Sequence, residues 1–329
     1  GKAGLLEDEP RFDYSGGATC PSLLLEPSRT NKLPYSEYFG AWTPQSGVTL
    51  TPNTDETLSP EGLNNAYKIV STIGTTGFYY AGLNSSVESI RSIYLKGASG
   101  GETLFLKDPS GNGGFTSVTL TTEWQRFTHS TSNTGQNYQG LQIDDISVGT
   151  IYAYGAQWEE ASYPTSYIPN HSGGTITRGD DGNVASGLSS VIGQTEGTIF
   201  VELDIDNLTG EYRRIIGVSD GTTNNSIQLT LSSNGSLEAY IGQGGTYSVV
   251  YYGPTLSTGV QKLAITYKTN EARIYRNGTL LTTDTSVVVP ACSNLYLGKI
   301  PTALTTSVIG NKIKQALLFD TALSDADCI

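Results

Sequence analysis

The chain has 329 residues, enough for two or three domains of about 100–200 residues each. Its 19 Lys and Arg against 31 Asp and Glu leave a net charge of −12 at pH 7, which repels phosphate and anionic lipid and argues against a nucleic-acid partner. Only 15% of residues are charged, 20 Tyr stand against 8 Phe, and no apolar run approaches the about 18–20 residues of a membrane span, so membrane insertion is not expected and an all-β chain is.

Residues 1–30 read as an extended, irregular lead-in. Asp13-Tyr14-Ser15-Gly16-Gly17 and Cys20-Pro21-Ser22 favour turns. Its apolar segments, Leu5-Leu6 and Leu23-Leu24-Leu25, need cover. A neighbouring subunit would supply it, or the leucines would lie as an edge strand on the first sandwich.

Residues 31–172 alternate short β-like runs with turns. The runs include Tyr67-Lys68-Ile69-Val70, Ser89 to Leu95, Thr103-Leu104-Phe105-Leu106 and Thr150-Ile151-Tyr152-Ala153-Tyr154, bounded by clusters such as Asp108-Pro109-Ser110-Gly111. No helical period intervenes, which predicts an antiparallel β-sandwich. Pro169-Asn170-His171-Ser172-Gly173-Gly174 reads as a linker.

Residues 173–329 repeat the β pattern. Ile227, Leu229 and Leu231 alternate with polar residues, Ser233-Asn234-Gly235-Ser236 turns, and Leu237, Ala239 and Ile241 alternate again. Asn277-Gly278 repeats the device, since Asn-Gly suits a turn needing positive φ. Lys314 to Phe319 reads as a last strand, and Leu323 to Asp327 as a helical turn. The predicted fold is two tandem antiparallel β-sandwich domains of jelly-roll type behind the lead-in.

No methionine occurs, even at position 1, so the chain is expected to be a fragment or a processed product, and Gly1-Lys2-Ala3-Gly4 opens no secretory pattern. Cys20, Cys292 and Cys328 form neither a metal motif nor a disulfide framework and are expected to stay unpaired. With only His129 and His171 present, zinc sites and His-based triads are not expected.

Five segments of the second block, in order, carry a resemblance. They are Glu196 to Val201, Lys262 to Tyr267, Ile274-Tyr275-Arg276-Asn277-Gly278, Asn294 to Gly298 and Phe319 to Asp325. In that order they resemble the laminin G-like, or concanavalin A-like, jelly roll, whose members include lectins, hydrolases and adhesive modules. The first block with its lead-in is similar to a carbohydrate-binding-like β-sandwich module of tailed-phage fibre and tail proteins. The pieces are Pro21 to Asn31, Tyr35 to Thr43, Glu123-Trp124-Gln125-Arg126-Phe127, Tyr152 to Glu160 and Tyr163 to Pro169. Trp42, Trp124 and Trp158 lie inside these pieces and read as packing residues.

The catalytic candidate in the sequence is Glu202-Leu203-Asp204-Ile205-Asp206. Bacterial endo-β-glucanases of the concanavalin A-like fold place three carboxylates at alternate positions of one strand, and retaining hydrolysis needs two of them about 5–5.5 Å apart. Asp206 here has the shorter arm, and the plain alternation puts Val201, Leu203 and Ile205 in the core with the acids in water. No enzyme, catalytic residue or metal ligand is therefore expected, and no cofactor beyond a structural Ca²⁺ in the acidic loops Gln142-Ile143-Asp144-Asp145 or Gly179-Asp180-Asp181-Gly182. Aromatic faces suit sugar stacking, which marks Tyr79, Tyr80 and Tyr138 in the first block and Tyr247, Tyr251 and Tyr252 in the second. Adjacent aromatics on a strand point to opposite faces, so one of each pair belongs to the core.

The resemblances imply a phage virion protein, a tail fibre or head/tail appendage, attaching to host-surface glycans as a homo-oligomer, a trimer, beside other virion proteins. Alternative readings are a secreted polysaccharide-binding module or glycoside hydrolase of bacterial origin, and a purely structural spacer or capsid decoration.

Overall fold

The computed structural model describes residues 10–14, 19–111, 113–132, 136–206, 208, 212–299, 301 and 311–328. Leu5-Leu6 lies outside them. Nearly all regular structure is β, and all strand pairs are antiparallel among the described residues. The chain forms two compact units, one built from Arg29–Arg178 and the other from Glu7–Ser28 together with Gly179–Ile329.

The first unit has two five-stranded sheets. One runs Phe115–Thr119, Thr103–Lys107, Gln136–Asp144, Phe78–Ser85, Thr43–Pro44, and the other Gln125–Thr131, Ser89–Gly97, Gly149–Glu159, Tyr67–Ser71, Val48–Thr51. The expected strands are all present. Alternation drives them together: Tyr67, Ile69 and Ser71 are buried while Lys68 and Val70 are partly exposed. Phe39 centres the aromatic core, its ring 4.9 Å from Trp42, 5.2 Å from Tyr67 and 5.7 Å from Phe78. Trp42 and Trp158 are buried, and Trp124 donates its indole N–H to the Leu58 carbonyl at 2.7 Å.

Part of this interior is polar. Arg91 and Asp108 form a buried ion pair. The Arg91 guanidinium also donates to the Gly140 carbonyl at 2.5 Å and lies 5.1 Å from the Trp158 ring centre. Burial outweighs the Asp108 attraction and pulls Arg91 down to about 10. His129 pairs with Arg91 across the ladder and is buried, its Nδ1 3.0 Å from the Thr116 hydroxyl. Burial, helped by the Arg91 charge, pulls the imidazole down to about 4.

Pro169–Gly174 is not a free linker. Asn170 is fully buried, and its amide donates to the Leu33 and Gly174 carbonyls at 3.0 and 2.8 Å. Strand Ile176–Arg178, expected in the second block, pairs with Arg29–Asn31 within the first unit. Burying the amide in hydrogen bonds to backbone fixes a segment whose composition alone reads as loose.

The second unit stacks a seven-stranded sheet on a six-stranded one. The first runs Phe12–Asp13, Ser22–Leu25, Asn311–Phe319, Glu196–Ile205, Gly259–Lys268, Glu271–Arg276, Thr279–Asp284. The second runs Asn183–Ala185, Asn294–Leu297, Arg213–Ser219, Ser226–Leu231, Ser236–Gln243, Thr246–Thr255. Ile199, Val201, Leu203 and Ile205 from one sheet and Val218, Ile227, Leu229 and Ile241 from the other fill one core. The Asn277-Gly278 turn has two residues at positive φ (48° and 78°) and joins Arg276 to its partner Thr279. The Asn234-Gly235 turn differs: only Gly235 has positive φ (79°), and its N–H donates to the Ser232 carbonyl at 2.9 Å. That is a longer hairpin loop ending in a left-handed glycine.

The lead-in corrects the sequence reading. Leu23, Leu24 and Leu25 pair with Ile313, Lys312 and Asn311, so they form a strand of the second sandwich and not an edge strand of the first. Leu25 is fully buried in the second core. Arg11 pairs with Glu26 at 2.8 Å and with Asp181, and Lys312 reaches Asp13 at 2.8 Å.

Two outcomes follow. Leu25→Ala should destabilise the second unit by about 3 kcal/mol, the usual cost of a buried leucine cavity. All three tryptophans lie in the first unit, so urea unfolding followed by tryptophan fluorescence should stay put while the far-UV CD transition splits to an earlier midpoint. A single transition shifted in both signals would refute the assignment. The second concerns acid. His129 is held near 4 in the folded unit against about 6.5 unfolded, so the unfolded chain binds the extra proton between those values. First-unit stability should therefore fall as pH drops through that window, by up to about 3 kcal/mol from this group. The fluorescence midpoint in urea should drift down from pH 7 to 4.5, and His129→Gln should flatten that drift.

Candidate functional site

Strand alternation sends one set of side chains into each core and leaves the other on an open sheet face. In the first unit the open face of the Thr103–Lys107 sheet carries a row Phe115, Lys107, Gln142, Tyr79 in register, and beside it Ser117, Phe105, Asp144. Phe105 and Phe115 stack with ring centres 4.4 Å apart, Phe115 being 60% exposed. Lys107 pairs with Asp144, and Gln142 is buried within the first row. Tyr79 and Tyr138 share a hydroxyl hydrogen bond that raises Tyr138 above its ordinary value. Aromatic rings thus flank a polar floor.

The six-stranded sheet of the second unit turns a mostly covered face away from its core: Thr230, Glu238 and Gln228 there are 0, 2 and 6% exposed. Arg214, Thr230, Glu238 and Tyr252 form one cross-strand row, and Gly217, Gln228 and Tyr240 another. The Tyr240 hydroxyl donates to Glu238 at 2.5 Å and lies 2.8 Å from the Tyr212 hydroxyl. Arg214 sits 4.7 Å from the Tyr212 ring centre. Burial and the adjacent Glu238 raise Tyr240 well above its ordinary value, so its hydroxyl remains a donor. Tyr247 and Tyr252 are 44% and 64% exposed, and the Tyr247 hydroxyl donates to the Thr223 carbonyl.

Of the six tyrosines marked from sequence, the structure brings Tyr79 and Tyr138 together on one open face and sets Tyr247 and Tyr252 on the six-stranded sheet. Tyr80 and Tyr251 turn the other way. Tyr80 packs against the first core, 6.1 Å from the Trp42 ring centre, and Tyr251 packs against the second. Phe105, Phe115, Tyr212, Arg214, Glu238 and Tyr240 were missed. Their signal was an aromatic or charged residue on the polar side of an alternating strand, as in Leu104-Phe105-Leu106 and Ala239-Tyr240-Ile241.

The Glu202 stripe is paired with lysine. Lys262 lies opposite Glu202 with 3.9 Å between charges, and Lys312 reaches Asp206 at 3.4 Å. In the acidic loops, Asp144 faces Lys107, Asp181 faces Arg11, and Asp180 accepts the Gly182 N–H at 3.1 Å. Among the described residues no three His, Cys, Asp or Glu converge as a metal site, and no helix is long and apolar enough to cross a membrane.

A family model described as the concanavalin A-like lectin/glucanases superfamily matches residues 177–328. The second sandwich has a lectin-like jelly-roll fold. No curated protein sequence matches the chain significantly. Among solved structures it is similar to the CBM40 module of the Ruminococcus gnavus IT-sialidase (16% identity, TM-score 0.36), covering 44% of this chain and 89% of that one. A Trypanosoma rangeli sialidase mutant displaying trans-sialidase activity matches at 14% identity and TM-score 0.35, over 41% of this chain and 22% of that one. A heptameric SAP-like pentraxin from Limulus polyphemus matches at 11% identity and TM-score 0.33, over 40% and 67%. Likeness this slight carries no argument about activity.

The cysteines are free thiols of unequal access: Cys20 is exposed, Cys328 half-buried and Cys292 buried. Burial, then the Asp220 charge, pushes the Cys292 thiol up to about 12. Thiol titration should therefore count three in denaturant, with Cys292 the slow reactor in the native protein at pH 8. A denatured count of one would refute it.

Proposed function

We propose that the chain is a non-enzymatic adhesion protein of a phage virion, a tail fibre or head/tail appendage, that attaches to host-surface glycans through exposed aromatic rings of its two sandwiches. The observation that carries the glycan reading is the open face of the first sandwich, where the exposed rings of Phe115 and Tyr138 flank Lys107 and Ser117, together with the exposed Tyr247 and Tyr252 on the second. Pyranose rings offer apolar C–H patches for Tyr79, Tyr138, Phe115, Tyr247 and Tyr252, and hydroxyls for Lys107 and Ser117. The phage reading rests on the motif series quoted from the first block. Absence of hydrolysis rests on the lysines facing the Glu202 stripe and on the short arm of Asp206.

Each face is shallow, so a single site should bind in the high-micromolar to millimolar range, about −4 to −6 kcal/mol, and several copies, such as a trimer, would supply avidity. A glycan array probed with a multimerised form tests this. Signal on host polysaccharides is expected, lost when Tyr247 and Tyr252, or Tyr79 and Tyr138, are changed to Ala. A blank array would favour a structural spacer. Release of reducing ends, abolished by Glu202→Gln, would overturn the non-enzymatic reading.

A further inference from the structure

The seven-stranded sheet of the second unit carries apolar residues on the face turned away from its core. Strand alternation places Phe200 there, between the core residues Ile199 and Val201. The ladder aligns Phe200 with Leu317 on one side and with Ala264, then Tyr275, on the other. Ala264 and Tyr275 form a closed floor, 5% and 1% exposed, while Phe200 is half-buried and Leu317 is 36% exposed. After its last strand the chain returns over this row. The Thr198 hydroxyl fastens it, donating to the Thr321 carbonyl at 2.9 Å and accepting the Leu323 N–H at 3.0 Å. Tyr275 and Arg273 fasten it again, donating to Asp325 at 2.5 and 2.7 Å.

Between sheet and returning segment lies a half-open cavity of about 290 Å³, walled by Phe200, Leu317, Phe319 and Leu323 with the Cys328 thiol at its edge. An apolar cavity of about 150 Å³ holds one benzene ring, so this one has room for about two rings and none for a helix about 10 Å wide. The Phe200 and Phe319 walls favour an aromatic occupant over an aliphatic chain, since ring pairs gain beyond the area they bury.

The next row of the ladder is polar, with Gln315, Glu202 and Lys262 in register. Gln315 and Lys262 line the cavity, and Glu202 stands between them. The Lys262 ammonium and the Glu202 carboxylate are 3.9 Å apart, too far for a hydrogen bond, so a donor and an acceptor stand side by side. A hydroxyl suits both, accepting from Lys262 and donating to Glu202. A carboxylate would meet Glu202 and also Asp327, which lines the cavity from the returning segment and accepts the Ser324 hydroxyl at 2.6 Å.

We infer that this cavity binds a neutral phenolic compound of about two rings, its rings against Phe200 and Phe319 and its hydroxyl between Lys262 and Glu202. The site is separate from the tyrosines of the proposed glycan surfaces, so either reading can fail without the other.

The test is calorimetric titration of the full chain with 2-naphthol, beside 2-naphthoate (same rings, a carboxylate) and 1-octanol (a hydroxyl, no ring). 2-Naphthol should bind saturably, with a Kd at or below about 1 mM, and at least tenfold more tightly than the other two. Cys328 reports where it binds. Saturating 2-naphthol should slow N-ethylmaleimide modification of Cys328 at least fivefold, read by peptide mass, and leave the exposed Cys20, which is not among the lining residues, unchanged. Leu317→Glu, on the exposed rim, should weaken binding at least tenfold, and Lys262→Ala about fivefold. Absence of saturable binding, unchanged Cys328 reactivity, or full binding by Leu317→Glu would overturn the site. Equal binding of 2-naphthoate or 1-octanol would overturn the phenolic assignment.

Discussion

Everything functional in this protein hangs on the two-residue period of its strands. A residue beside a core position is committed to the opposite face, so burying Leu104 and Leu106 displays Phe105, and burying Ala239 and Ile241 displays Tyr240. The recognition surface proposed for the sandwiches therefore needs no loop or insertion. The outward residues of strands already required for the core become that surface, and its spacing is the spacing of the ladder.

This economy has a physical limit. An open sheet face is shallow, and rings on it stay partly wet. Such a face takes flat or extended partners in repeated copies better than it encloses one small molecule. Beneath the rings the charges are already engaged, Asp144 by Lys107 and Glu238 by the Tyr240 hydroxyl.

Fold class was legible in the sequence because alternation, turn residues and scarce charge all agreed. Tyr67 to Val70 could be read as a strand, and Ile227 to Leu231 as a strand with its apolar side chains on one face. The rule that neighbouring aromatics diverge also held: Tyr79 and Tyr252 face out while Tyr80 and Tyr251 pack inward. What local pattern could not supply was pairing across long separations. Nothing in Leu23-Leu24-Leu25 names Ile313 as its partner, and nothing in Pro169 to Gly174 announces that the Asn170 side chain will be buried against Leu33 and Gly174. The Arg214 cluster was hidden for the same reason, since Tyr212, Arg214 and Tyr240 meet only once Ser226–Leu231 has paired with the strands on both of its sides.

The ladder between Ser22–Leu25 and Asn311–Phe319 also sets an order in time. Arg29–Arg178 is continuous, so the first sandwich can complete itself as soon as its own last strand, Ile176–Arg178, has left the ribosome. The second cannot. Its Ser22–Leu25 strand is made early and then waits through the synthesis of an entire intervening domain for a partner encoded almost at the other end. Until then, the leucines are an unpaired apolar edge on a nascent chain, the kind of surface that chaperones hold and that neighbouring chains capture. Closing so long a loop is slow, so the pairing of Ser22–Leu25 with Asn311–Phe319 is the natural last step in folding the second unit.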